Sequence, residues 1–360
     1  MIRPWGLLAG LALALFGGQA TAQAHAAPCL TATAACTEFV PLGGGAARSL
    51  VYRTYALDRA DPRLTRALIM VHGALRNADH YFRTATAAGF LDGALGDTLI
   101  IAPAFHSAAA PCADTLAPHE VSWSCQGDSW RSGGAAASDP DLTSFDLVDA
   151  LLRRLADKSL FPNLKTVVIA GHSAGGQFVS RYEMSSRVAD TVGVKVRYVI
   201  ANPSSYAWPA PTRLVPEGVG SPGAAHAAWK DEATAHGGFT FAPFDAAKVP
   251  DYDLWPYGLE HRDGGYTRGM SDEDLRAHLV GRDAVYLLSQ VDVLPLGGFD
   301  ASPEAMAQGA TRRQRGEAFV DYIHTHLGAH SPVMIVPECG HNDRCVFTTA
   351  SVLPILFPRP

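Results

Sequence analysis

Apolar residues along this chain gather in two kinds of pattern that take turns from about residue 49 to the C-terminus. Compact runs at 67–71, 98–102, 166–169, 194–201, 284–288 and 332–336 predict buried strands of a parallel sheet. Residues 49–55 alternate instead, as in an antiparallel strand with one polar face. Between the runs the spacing is helical. Residues 79–91 bring Tyr81, Phe82, Ala85, Ala88 and Phe90 to one side, and 144–155 do the same with Phe145, Leu147, Val148, Leu151, Leu152 and Leu155. Further helices are expected at 173–187, at 271–280 with Ser271 as N-cap and Asp274 at N3, and from Ser302-Pro303 to about residue 327. A last helix at 346–356 is interrupted at Pro354. The fold class that follows is α/β: a mostly parallel central sheet with helices on both faces.

Two stretches break the alternation. Residues 103–140 show no period and are rich in Ala, Ser, Gly and Pro. A loop of that length inside a compact domain is expected to be functional or stapled. Residues 202–269 carry many prolines and glycines together with Tyr206, Trp208, Trp229, Phe239, Phe241, Phe244, Tyr252, Trp255, Tyr257 and Tyr266. They read as an aromatic-rich cap or loop insertion, and Tyr206 and Trp255 are its candidate substrate-lining residues. Tyr206 is chosen because it follows a strand end, the sheet edge where ligands bind.

Composition narrows the class. Of 360 residues 48% are hydrophobic and 18% charged, enough apolar material for a large core. A net charge of −6 without any basic block gives no footing for nucleic acid as a partner. Residues 1–22 read as a signal peptide: Arg3, then an apolar stretch over residues 7–16, then Ala20-Thr21-Ala22 as cleavage site, with cleavage after Ala24 or Ala26 as alternatives. The apolar stretch is about ten residues, where a membrane span needs about 20. Residues 23–47 form an N-terminal extension, and 48–360 the main domain. Secretion or periplasmic export is the expected localisation. The six cysteines fall in near-neighbour pairs, Cys29 with Cys36, Cys112 with Cys125 and Cys339 with Cys345, and loops this short favour local disulfides in an oxidising compartment. No spacing suits zinc or a redox pair, and no metal or organic cofactor is called for.

The chemistry centres on Gly171-His172-Ser173-Ala174-Gly175, set between a β-branched run and a helix. Gly-x-Ser-x-Gly at a strand-to-helix turn is a nucleophile elbow: the serine is thrust from the sheet on a tight turn beside free helix N–H groups. A serine hydroxyl needs a base. His341, in Pro337-Glu338-Cys339-Gly340-His341 just past the last strand, is the candidate, held between Cys339 and Cys345. Asp292, directly after the strand at 284–290, is the candidate acid, with Asp300 on the same loop as competitor. Chain order Ser, Asp, His suits this architecture. The oxyanion donors are expected at Ala174 and at Ala74, with Leu75 as the alternative to Ala74. His72 reads as an anchor of that loop and not as a second base.

On these residues the chain resembles the α/β-hydrolase superfamily over about residues 48–358. It is most similar to a secreted bacterial branch of serine esterases and polymer hydrolases with a His-Gly-x-x-Arg-Asn-Ala segment, here residues 72–78. Residues 202–206 and Gln308-Gly309, Arg312 and Arg315-Gly316 resemble the same branch. The resemblance implies Ser173 as nucleophile, Asp292 as acid and His341 as base, although Val293 stands where related chains often carry Thr after the acid. It implies hydrolysis of carboxylic esters through an acyl-enzyme. A β-diketone C–C hydrolase acting on oxidised poly(vinyl alcohol), a polyester depolymerase and a peptidase are the alternatives. A hydrolase-fold binding protein without catalysis is the rival from another class.

Overall fold

The computed structural model describes residues 27–127, 129–215, 237–262 and 265–359, with Met1 and Ala235. The expected signal peptide, apart from Met1, and Trp229 lie outside them.

In chain order the elements begin with β1 (Thr37–Pro41), β2 (Arg48–Arg53), β3 (Arg66–Val71), α1 (Ala78–Leu91) and β4 (Thr98–Pro103). Next come α2 (Ser144–Ala156), β5 (Thr166–His172), α3 (Ala174–Ser185) and β6 (Lys195–Ala201). A ribbon of β7 (Thr212–Val215) and β8 (Thr240–Pro243) precedes α4 (Asp272–Gly281) and β9 (Asp283–Ser289). The chain closes with α5 (Pro303–Met306), α6 (Arg312–Tyr322), β10 (Val333–Val336), α7 (Asp343–Thr348) and α8 (Leu353–Leu356).

The main sheet has eight strands in the order β1-β2-β4-β3-β5-β6-β9-β10. From β4 to β10 neighbours pair in parallel, and β2 runs antiparallel to both β1 and β4. The central strands are apolar on both faces because both faces are covered. In β3, Ala67, Ile69 and Val71 join one core, with α2, α3 and α6, while Leu68 and Met70 join the other, with α1, α7 and α8.

From β3 the chain moves to β4 on one side, and from β5 to β6 on the other. The loops leaving β3 and β5 therefore diverge, and their carboxyl ends border the crevice where open α/β sheets bind ligands. Sequence places residues 72–75 after β3 and Ser173 after β5.

Two expectations change. The sheet begins at Thr37, inside the stretch read as an extension, because β1 adds an edge to β2. The long helix read over 303–327 is broken: α5 stops at Met306, Gly309 takes φ +147°, and α6 starts only at Arg312. Within the described part of the aromatic-rich insertion, Trp208 lies against Phe319 and Tyr322 of α6 and against Phe241, and Tyr266 lies against Phe145 of α2 and Tyr182 of α3. The 103–140 loop does carry its disulfide, Cys112–Cys125, and buries Trp123 and Trp130 against Phe105. Cys29–Cys36 and Cys339–Cys345 are bonded as well. Among the described residues no helix is long and apolar enough to cross a membrane.

Candidate active site

Ser173 sits between β5 and α3 with φ +60° and ψ −120°, a backbone state that a side-chain-bearing residue holds only where its surroundings enforce it. Those surroundings are visible. The Ser173 N–H donates to Ala201 O at 3.0 Å, and its carbonyl accepts from the Gln177 N–H at 2.9 Å. A Cβ on Gly171 would stand 2.2 Å from Gly175 O, and one on Gly175 would stand 2.3 Å from Val71 O. The two elbow glycines thus let α3 and the β3 end close on the turn.

His341 Nε2 lies 2.9 Å from Ser173 Oγ, and His341 Nδ1 lies 2.7 Å from Asp292 Oδ2. The three groups come from loops after β10, β5 and β9. The imidazole is braced on both sides. The His172 ring lies 4.5 Å from it at an interplanar angle of 38°, and Gly297 presses on its edge, where a Cβ would come within 2.9 Å of Cδ2. Asp300, the competing acid, is engaged elsewhere: it accepts from the Tyr257 hydroxyl at 3.0 Å and from the Ser302 N–H at 3.1 Å.

Ser173 and His341 open onto a cleft of about 330 Å³ lined by Gly73, Ala74, Leu75, Tyr81, His172 and Gly297, among others. Ala74 and Leu75 both border it. Ala174 is buried directly behind Ser173, and as the first residue of α3 its N–H has no acceptor within the helix. Leu75 is 86% exposed at the rim.

His72 anchors the β3 loop from inside. Its Nε2 accepts from the Phe105 N–H at 3.3 Å, so Nδ1 carries the proton and donates to Gly73 O at 2.9 Å. Burial pushes its imidazole down to about 3, the neutral form these two bonds require. Burial, reinforced by His341 and Arg312, also holds the His172 imidazole well below its ordinary value.

Tyr206 and Trp255 are not brought to the cleft. Tyr206 is fully buried and stacks on Phe319 at 4.4 Å, while Gln308 braces its backbone at both N and O. Trp255 Nε1 donates to Ser132 O at 3.1 Å. Among the described aromatics of the insertion, Tyr206, Trp208 and Tyr266 are buried packing residues.

The site also contains residues to which the sequence reading gave no role. Arg312 is buried beside Asp292 Oδ1 at 3.3 Å, and Arg315 donates to the carbonyls of Gly309, Ser204 and Asp300. The signal was the cluster of arginines at the start of a helix whose residues are nearly all buried. A charge run of that kind usually faces solvent.

No protein-family model matches the chain, and no curated protein matches it. Among solved structures it is similar to poly(aspartic acid) hydrolase-1 from Sphingomonas sp. KT-1, at 21% identity and TM-score 0.55, over 89% of this chain and 98% of that one. It is also similar to LpqC, a poly(3-hydroxybutyrate) depolymerase from Bordetella parapertussis, at 18% identity and TM-score 0.57, over 89% and 94%. The chain has the α/β-hydrolase fold.

Proposed function

We propose that this protein is an exported serine hydrolase that cleaves carboxylic esters through an acyl-enzyme. The observation that carries the reading is the unbroken hydrogen-bonded line from Ser173 Oγ through His341 to Asp292 at the mouth of a cleft. Ser173 Oγ attacks the carbonyl carbon as its proton passes to His341 Nε2. Asp292 fixes the imidazole through Nδ1–H and stabilises its cationic form. The N–H groups of Ala174 and Ala74 hold the oxyanion. His341 then protonates the leaving alkoxide, and water repeats the sequence on the acyl-enzyme to release the acid.

The three disulfides and the leader-like N-terminus support export, with residues 1–22 removed. Two structural neighbours are named a poly(aspartic acid) hydrolase and a poly(3-hydroxybutyrate) depolymerase, so polymers join small esters among the substrates to try.

The test is a panel of a soluble p-nitrophenyl ester, a peptide amide and a β-diketone, run on the mature chain and on Ser173→Ala. The ester should turn over fastest, and Ser173→Ala should lose on the order of 10⁴-fold or more in kcat with an unchanged melting temperature. Preferential cleavage of the diketone or the amide would replace the ester assignment. Full ester turnover by Ser173→Ala would remove the mechanism.

A further inference from the structure

Asp292 has two carboxylate oxygens, and His341 uses only Oδ2. Oδ1 faces Nη1 of Arg312 at 3.3 Å. The same guanidinium is tied at two more points: Nε donates to Ser204 Oγ at 2.7 Å, and Nη2 donates to Gly297 O at 3.0 Å. Its side chain is wholly removed from solvent, as is that of Asp292 to within 1%, and the Phe299 ring lies 5.2 Å from its Cζ. One planar fork therefore joins the segment after β6, the loop after β9 and the start of α6.

We propose that Arg312 is the positioning residue for the acid and base of this site, acting on His341 through Asp292 and through Gly297 without touching substrate. The proposal rests on the reading of Ser173, His341 and Asp292 as a catalytic set. With Oδ1 held, the carboxylate has one orientation and offers Oδ2 to the imidazole. With its carbonyl held, Gly297 keeps its backbone against the ring edge. A lysine offers a point charge in place of the fork and does not reproduce three directed bonds at once. The cation also offsets part of the Asp292 charge beside His341, an effect that a lysine keeps although it loses the fork.

Other charged or titratable groups surround this line. His172 stacks on His341 from the elbow. Asp343, which borders the same cleft, is paired with His80 of α1 at 3.0 Å. Asp300 on the acid loop and Arg315 on α6 both act on the guanidinium or its surroundings. Changing residue 312 leaves all of these side chains in place but removes a nearby positive charge from His172 and Arg315.

The experiment measures kcat and KM for a soluble p-nitrophenyl ester from pH 5 to 9 in wild type, Arg312→Gln and Arg312→Lys, with a thermal melt of each. Arg312→Gln should lower kcat on the order of 10²-fold, the scale of a misplacement of about 1 Å, with KM within about threefold. Its acid limb should move upward by about half to one pH unit. Arg312→Lys should bring the limb back to the wild-type position while kcat stays about tenfold low. A folded Arg312→Gln with wild-type kcat or an unmoved limb overturns the proposal, as does an Arg312→Lys with wild-type kcat. If Arg312→Gln does not fold, Ser204→Ala takes its place. It removes only the Nε anchor and should lower kcat about fivefold with KM unchanged; wild-type kcat there overturns the proposal. A wild-type protein without ester turnover would strike the parent reading instead.

Discussion

Gly297 is held at φ +57° with no room for a side chain beside His341. Gly297→Ala should push the ring or its loop aside and lower kcat about tenfold or more, with little change in KM; wild-type kcat would show that the contact has slack. At this scale the sequence was readable where the demand is local. An elbow needs two glycines at fixed offsets from its serine, because the neighbouring backbone atoms that exclude a Cβ are fixed by the turn. Choosing between Asp292 and Asp300 was harder, since both lie on one loop. What separates them is that Asp300 is spent on Tyr257 and Ser302. Arg312 was the least readable, because its partners come from two other segments, Ser204 after β6 and Asp292 with Gly297 after β9.

The insert after β6 is fastened to the helical layer by Asp149 of α2, which accepts from the Tyr182 hydroxyl of α3 at 2.6 Å and from the Tyr266 hydroxyl at 2.9 Å. Burial raises this carboxyl above its ordinary value, although both hydroxyls counteract the effect. Asp149→Ala leaves two buried hydroxyls without an acceptor, at about 1–3 kcal/mol each. It should lower the melting temperature by about 5 °C or more, whereas Asp149→Asn, which keeps an acceptor, should lose less. Equal melting of wild type and Asp149→Ala would mean that these two hydroxyl bonds do not hold the insert. Strands and helices with a strong period were legible at this scale. The break between α5 and α6 was not. Helical spacing runs on past Gly309, and only the tertiary use of Gln308 and Arg315 requires the chain to leave the helix there. A reciprocal capping box opens α2, between Thr143 at the N-cap and Asp146 at N3. At Ser271 the hydroxyl caps the Asp274 N–H and also bonds its carboxylate.

Over the whole molecule, two histidines beneath the cleft make stability depend on pH. Folded His72 takes a proton only near about 3, while the unfolded side chain does so near about 6.5. Between those values the unfolded chain binds more protons, so stability is lost as pH falls through the window. From pH 8 to pH 5 the loss from His72 alone is about 2 kcal/mol, and His172 has the same sign. Glu183, raised by burial to about 8, works in the opposite direction: it adds stability when protonated and withdraws it as pH rises. The discriminating quantity is therefore a difference. Wild type should lose about 2 kcal/mol more than His72→Gln over that range, and equal losses would contradict the assignment. The architecture was legible at this scale because alternating strands and helices leave few arrangements, and Ser173 then marks the carboxyl edge. The edge strand at Thr37 was not, since the five residues Thr37 to Pro41 follow an Ala/Thr-rich segment and are too few to show a period of their own. The central claim is that Ser173 is a nucleophile activated by His341, and mass spectrometry of fluorophosphonate-treated protein tests it directly. A single adduct on the peptide containing Ser173, absent in Ser173→Ala and formed far more slowly in His341→Ala, is the expected result; equal labelling of Ser173→Ala, or an unreactive wild type, would contradict it.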